Sequence, residues 1–224
     1  MRLGAWAVGL VAALSAAWVA APAAAAPVTG QHVQVELIPE SPTIQPGKPF
    51  TVAVRLTPDK GWHSYWRNAG DAGLATSIKW MLPAGFQPGA FQWPAPVRLP
   101  ANGGAINYGY ESQVLLLTQV AAPAGLKLGQ DVPLKAHVSW LVCADVCIPG
   151  ESDLTADVKT SSAAPTPDPK WAAAFAASRH ALPSTVADWR FTAAPTADGY
   201  QLIAEPARAG AVWPKGGRFL LRSG

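Results

Sequence analysis

Cysteine, charge and long apolar runs are all scarce in this chain. It holds two cysteines and four histidines in 224 residues. A structural zinc site needs four ligands, and the spacing of His32, His63, His137 and His180 matches no metal pattern. There is no C-x-x-C, so a thioredoxin active site is not indicated, and no C-x-x-C-H, so covalent haem is excluded by pattern. Charged residues make up 14% and the formal net charge is +3. The basic residues are scattered, and without a Lys or Arg block nothing points to nucleic acid. After the first two dozen residues no apolar stretch reaches the length that spans a bilayer. Between residues 30 and 160 no segment carries a useful helical apolar period, and there is no internal repeat.

What is present is a 50% apolar composition, enough for a substantial core. The N-terminus reads as an address. Arg2 precedes an alanine-rich apolar run from Leu3 to Ala20, and Ala23-Ala24-Ala25-Ala26 supplies small residues for cleavage, as in a secretory signal. Cleavage after Ala25 fits best, because cutting after Ala26 would leave Pro27 at the new terminus. The run is long enough for an uncleaved anchor, but its alanine dominance and its A-x-A ending favour a signal peptide over residues 1–25. The mature chain is then soluble and exported to an oxidising compartment, where a close cysteine pair normally forms a disulfide.

Strand-like alternation fills the next 130 positions. Val33, Val35 and Leu37 share one face, with Gln34 and Glu36 opposite; Phe50, Val52, Val54 and Leu56 repeat the pattern. Further strands are expected over Ser77–Leu82, Phe91–Leu99, Val114–Val120, Val132–Val142 and Leu154–Val158. Pro58-Asp59-Lys60-Gly61, Pro83-Ala84-Gly85, Asn102-Gly103-Gly104 and Pro149-Gly150 supply the turns between them. Many short strands with regular turns predict an all-β, immunoglobulin-like β-sandwich over residues 28–159. A Ser/Ala/Pro-rich linker follows at 160–170. A short helix comes next, with Asp168 as N-cap, Pro169 at the first helical position, Trp171, Ala174, Phe175 and Ser178 on one face, and Pro183 as the stop. Trp189–Ala193, Tyr200–Ala204 and Arg218–Arg222 read as strands. Residues 171–224 are therefore expected to form a helix and the start of a second β domain that the given sequence leaves incomplete.

The two cysteines lie in Trp140-Leu141-Val142-Cys143-Ala144-Asp145-Val146-Cys147-Ile148-Pro149-Gly150. In a continuing strand their Cα atoms would be about 13 Å apart, whereas a disulfide tolerates roughly 7 Å at most. The chain must bend back between them, with Pro149-Gly150 favouring a turn just beyond. The pair is thus expected at a strand end or hairpin tip. A bridge over so few residues constrains the unfolded chain little and ties no distant strands, which favours a redox role over a structural clip. A soft metal such as copper, held by the two thiolates and His63, is a third reading.

Four motifs carry a family resemblance. They are Gly61-Trp62-His63-Ser64-Tyr65-Trp66-Arg67-Asn68-Ala69-Gly70-Asp71-Ala72-Gly73-Leu74, then Gln92-Trp93-Pro94-Ala95-Pro96, then Asn107-Tyr108-Gly109-Tyr110-Glu111 with Val114-Leu115-Leu116-Leu117, and finally the cysteine segment. In this order they resemble the amino-terminal periplasmic domain of the DsbD family of thiol:disulfide interchange proteins, its ScsB-like branch above all. The better known branch has a longer interval between its cysteines.

The resemblance implies a protein-disulfide reductase module in the periplasm that works without a cofactor. A thioredoxin-like domain would be its electron donor, and periplasmic disulfide-bearing proteins its acceptors: a disulfide isomerase, a cytochrome c maturation factor or a peroxide-handling protein. A membrane electron-transfer section would belong to the same full-length chain in the inner membrane. Cys143 and Cys147 become the catalytic pair, with Cys147 forming the mixed disulfide and Cys143 resolving it. The family's mobile aromatic cap matches Asn107–Glu111, where Tyr108 or Tyr110 would shield the sulfurs and Gly109 would give flexibility. Turn packing is the alternative for these tyrosines. Tyr65 and His63 would line the same pocket, though a histidine among aromatics is more often a packing residue. Glu111 would touch the partner or simply be solvated. With no helix N-terminus to acidify a thiol, and Asp145 opposing a thiolate, near-ordinary thiol acidity is expected.

Overall fold

A computed structural model describes residues 26–184 and 188–212. The expected signal peptide and the expected strand Arg218–Arg222 lie outside them. The strands are β1 (Val28–Gly30), β2 (Val33–Pro39), β3 (Thr43–Ile44), β4 (Pro49–Pro58), β5 (His63–Gly70), β6 (Ser77–Trp80), β7 (Gln87–Pro88), β8 (Val97–Pro100), β9 (Ile106–Tyr110), β10 (Val114–Ala121), β11 (Asp131–Cys143), β12 (Cys147–Thr160), β13 (Trp189–Thr196) and β14 (Gly199–Pro206). One helix, α1 (Ala172–His180), precedes β13.

Two sheets face each other. One runs β1-β2-β4-β10-β7, and the other runs β3-β12-β11-β5-β9-β8 with β6 also on β11. Alternation in the sequence decides what lies between them. Val33, Val35, Leu37, Val52, Val54, Leu56, Leu116 and Val120 point inward from the first sheet. Leu134, Ala136, Val138, Trp140, Val142, Leu154, Ala156 and Val158 do so from the second. The chain is thus the immunoglobulin-like sandwich expected from its pattern, and each buried Val or Leu contributes about 1.5–3 kcal/mol.

The outer face of the first sheet carries its own apolar patch. Ile38, Ala53, Leu115 and Leu117 receive Phe175 of α1, whose ring is fully buried. The Ser178 hydroxyl donates to the Leu115 carbonyl at 2.8 Å, and Arg179 pairs with Glu40, Nη1 to Oε1 at 2.6 Å. Beside the helix, Arg55 holds buried Glu36 at 2.6 Å and lies 5.1 Å from the Trp171 ring centre. The helix therefore covers the outer face of the first sheet, while β13 and β14 pair only with each other among the described strands.

Local departures from the expected pattern have physical causes. Phe91–Leu99 is not one strand: an isolated bridge joins Gln92 to Leu117, and regular pairing begins only at Val97. Pro94 and Pro96 lack the N–H groups that a ladder needs. Pro149-Gly150 is not a turn but part of β12, paired with Leu141 and Trp140. Strand β3 reaches β12 only at Lys159 and Thr160. Among the described residues the outer side of β12 at Pro149 is therefore an open edge, where a missing N–H costs nothing. Gly150 is needed for space, since a Cβ there would lie 2.6 Å from Trp140 Cε2. The helix starts three residues beyond Pro169: Asp168 Oδ1 accepts from the Lys170 N–H at 2.9 Å, forming a turn that leads into α1.

Candidate functional site: an exposed disulfide on the outer face of a sheet

Strands β11 and β12 form one long hairpin in register, with Cys143 directly opposite Cys147. Their Cα atoms are 4.1 Å apart and their sulfurs are bonded. The bend required by the spacing lies at Ala144-Asp145-Val146, three exposed residues at the hairpin tip. The two sulfur-bearing residues are unequal. Cys143 is 2% exposed, whereas Cys147 is exposed beside Val146, itself 62% exposed.

Strand parity assigns the neighbours. Val142 and Trp140 belong to the inner core, so Cys143 points to the outer face of the sheet. Cys143 pairs with Cys147 on one side and with His63 of β5 on the other. Directly paired residues project to the same face, and Tyr65, two residues on from His63, projects there too. The result is a chain of polar contacts on the outer face. His63 Nε2 lies 3.2 Å from the Tyr65 hydroxyl, and that hydroxyl lies 3.9 Å from Cys147 Sγ. The two rings meet edge to face, 5.1 Å between centres.

The loop after β5 holds Tyr65 in place. Asp71 N–H donates to the Ile106 carbonyl at 3.0 Å, Ile106 N–H to Asp71 Oδ2 at 2.7 Å, and Ala72 N–H to Asn107 Oδ1 at 3.0 Å. This pins the loop across the tyrosine ring. Gly73 adopts φ +107°, and a Cβ there would fall 2.2 Å from Tyr65 Cε1. Tyr65 is consequently 2% exposed. Burial pushes its hydroxyl pKa up; burial also holds that of His63 below its ordinary value, with the Glu111 carboxylate opposing.

The cap expected at Asn107–Glu111 is corrected by the same parity. Residues 106–110 are a strand held between β5 and β8. Tyr108 and Tyr110 face inward, away from the sulfurs. Tyr110 lies in the core with its hydroxyl donating to the Pro94 carbonyl at 2.8 Å, and burial raises its pKa far above the usual range. Tyr108 packs against the same core, half-buried. Gly109 gives close approach rather than flexibility, since a Cβ would lie 2.0 Å from the Ser64 carbonyl oxygen. Glu111 is exposed in the turn after β9, near enough to influence His63. The aromatic group that reaches a sulfur is Tyr65, and the segment lying over it is Asp71–Leu74. Sequence reasoning did not single out Gly73. Its signal was the second glycine of Gly70-Asp71-Ala72-Gly73, directly after a strand.

Leu74, 69% exposed, borders an open groove of about 580 Å³ beside the hairpin, lined also by Trp140, Pro149, Gly150 and Glu151. Among the described residues no group of three or more His, Cys, Asp or Glu side chains is placed to hold a metal ion. Among the same residues no helix is long and apolar enough to cross a membrane.

Fold and site together define an immunoglobulin-like sandwich with a disulfide at an exposed hairpin tip. Residues 34–159 match the family model described as thiol:disulfide interchange protein DsbD, N-terminal. The chain belongs to that family. Among solved structures it resembles the N-terminal periplasmic domain of ScsB from Proteus mirabilis, at 18% identity and TM-score 0.63, over 84% of this chain and 71% of that one. The reduced DsbD n-terminal domain of Neisseria meningitidis also aligns, at 19% identity and TM-score 0.30, over 62% of this chain and 92% of that one. No curated protein matches. Family membership and the Cys143–Cys147 bridge together support a thiol–disulfide exchange module.

Proposed function

We propose that this chain is the protein-disulfide reductase module of a larger periplasmic interchange protein. It takes two electrons from a thioredoxin-like domain and passes them to disulfide-bearing periplasmic proteins. The observation that carries the reading is the asymmetry of the pair at the hairpin tip: Cys147 faces solvent, while Cys143 is 2% exposed.

In-line attack on a disulfide requires an approach to one sulfur from outside. A partner thiolate attacks Cys147 Sγ, the bond to Cys143 breaks, and Cys143 leaves as a thiolate. The partner's second thiolate then displaces Cys147 and closes the partner disulfide. Two electrons enter the domain, and the partner's two thiol protons end on Cys143 and Cys147. Delivery to an acceptor reverses these steps: Cys147 attacks the acceptor disulfide, and Cys143 resolves the mixed disulfide. The proposed route needs no cofactor. The N-terminal segment 1–25 fits export as a signal peptide, and the full-length protein would add the membrane section.

Trapping tests the roles. A Cys143→Ser variant, mixed with a thioredoxin-like protein that lacks its resolving cysteine and carries its attacking cysteine as a mixed disulfide with a small thiol, releases that small thiol and accumulates a stable covalent adduct through Cys147. A Cys147→Ser variant accumulates little, because its remaining thiol is buried. Equal trapping by both variants contradicts the assignment.

A further inference from the structure

We propose that His63 is the proton acceptor for Cys147, reached through the Tyr65 hydroxyl. The inference deepens the exchange reading and rests on it. A sandwich hairpin offers the exposed thiol no helix N-terminus, yet attack requires the thiolate. The structure supplies another route: Tyr65 Oη stands 3.9 Å from Cys147 Sγ and 3.2 Å from His63 Nε2, with the tyrosine ring clamped by Gly73. A phenol both donates and accepts, so it can carry a proton between the other two groups.

In the reduced domain the Cys147 S–H proton passes to Tyr65 Oη while the tyrosine's own proton passes to His63 Nε2. This leaves a Cys147 thiolate and a His63 imidazolium, and no net charge is created. The thiolate attacks the acceptor disulfide, whose S–S bond breaks. The departing acceptor thiolate takes the proton back through Tyr65 or from water. Cys143 then loses its proton, attacks Cys147 Sγ and releases the second acceptor thiol. The dithiol is oxidised by two electrons, the acceptor disulfide is reduced, and both protons finish on acceptor sulfur.

The surroundings of His63 suit this task. Tyr65 meets it along its own strand, Cys143 lies across from it on β11, and Glu111 comes from the turn after β9. Burial keeps the imidazole neutral and able to accept at neutral pH, while the Glu111 carboxylate favours the cation once it forms. This environment separates His63 from His137, which sits on the exposed side of β11 held by Asp153 at 2.8 Å.

The test uses the Cys143→Ser background, in which Cys147 is the lone thiol, and follows its alkylation by iodoacetamide as a function of pH. The parent profile carries two inflections, one from the thiol and one from His63, as coupled groups do. Tyr65→Phe keeps the ring against Gly73 but breaks the relay. Its profile becomes a single curve displaced upward by roughly one pH unit, with about tenfold slower alkylation at neutral pH. His63→Gln, at a half-buried position, loses the lower inflection while keeping part of the tyrosine's effect. Profiles of both variants that superimpose on the parent overturn the relay. If all three proteins nevertheless form the mixed disulfide with the thioredoxin-like partner, the exchange reading stands without it. If none does, the exchange reading itself fails.

Discussion

Two glycines, Gly73 and Gly109, set the geometry around the sulfurs. Gly73 combines φ +107° with van der Waals contact against Tyr65, so a Gly73→Ala substitution meets both backbone strain and a steric block. It is expected to destabilise by about 1–3 kcal/mol and to move the tyrosine away from Cys147, read as a lower urea midpoint and altered alkylation of Cys147. Gly109→Ala acts on the neighbouring strand, where its Cβ would enter the Ser64 carbonyl. Separation of β9 from β5, seen as faster amide exchange at residues 64, 65 and 109, is the expected result. Unchanged exchange would show that the strand can slide to accept the methyl group. At this scale the sequence was only partly legible. Cys143, Cys147, Tyr65 and His63 were nameable from motif and spacing. The face each tyrosine presents follows from whether residues 106–110 are a loop or a strand. Once they are a strand, the spacing of two between Tyr108 and Tyr110 puts both on the inner face, with Gly109 opposite Tyr65.

The hairpin and the helix are the elements that matter. The β11–β12 hairpin was visible as two alternating runs flanking the cysteines, with the bend between them where the spacing required it; only the further turn expected at Pro149-Gly150 is absent, those residues being paired within β12. A proline signals a turn only where its neighbours require an N–H, and the open edge of β12 removes that requirement. The α1 helix was visible through Trp171, Ala174, Phe175 and Ser178. Its docking surface was not, because Ile38, Ala53, Leu115 and Leu117 are spread over three strands that only the fold brings together. Phe175→Ala is expected to remove about 3 kcal/mol and to release the helix while thiol exchange persists, since the helix and the sulfurs lie on different sheets. The Glu40–Arg179 pair adds a pH term. Its hydrogen bond with Arg179 holds the Glu40 carboxyl below its ordinary value of 4.5. This contribution is therefore fully present above that value and is lost as pH falls through the lowered one. The NMR signals of Phe175 and Ser178 should shift on acidification below it, and an Arg179→Gln variant should lose that dependence.

For the molecule as a whole, the sandwich core carries the fold and the disulfide contributes little to it. A bridge closing so short a loop is worth about 2 kcal/mol in the chain-entropy picture, small beside two packed sheets. A Cys143→Ser, Cys147→Ser double variant is expected to remain folded, with an unfolding free energy from urea titration lowered by no more than that amount, and to lose exchange entirely. Unfolding of the double variant would make the bridge a structural clip. The distinction between a clip and a working pair is one of free energy, and it has a direct measure. Equilibration of the Cys143–Cys147 bridge against a graded thiol redox buffer gives its reduction potential. A value less negative than about −300 mV is predicted, within reach of a thioredoxin-like donor. A value well below that figure would mark the bridge as a stable staple and contradict the account.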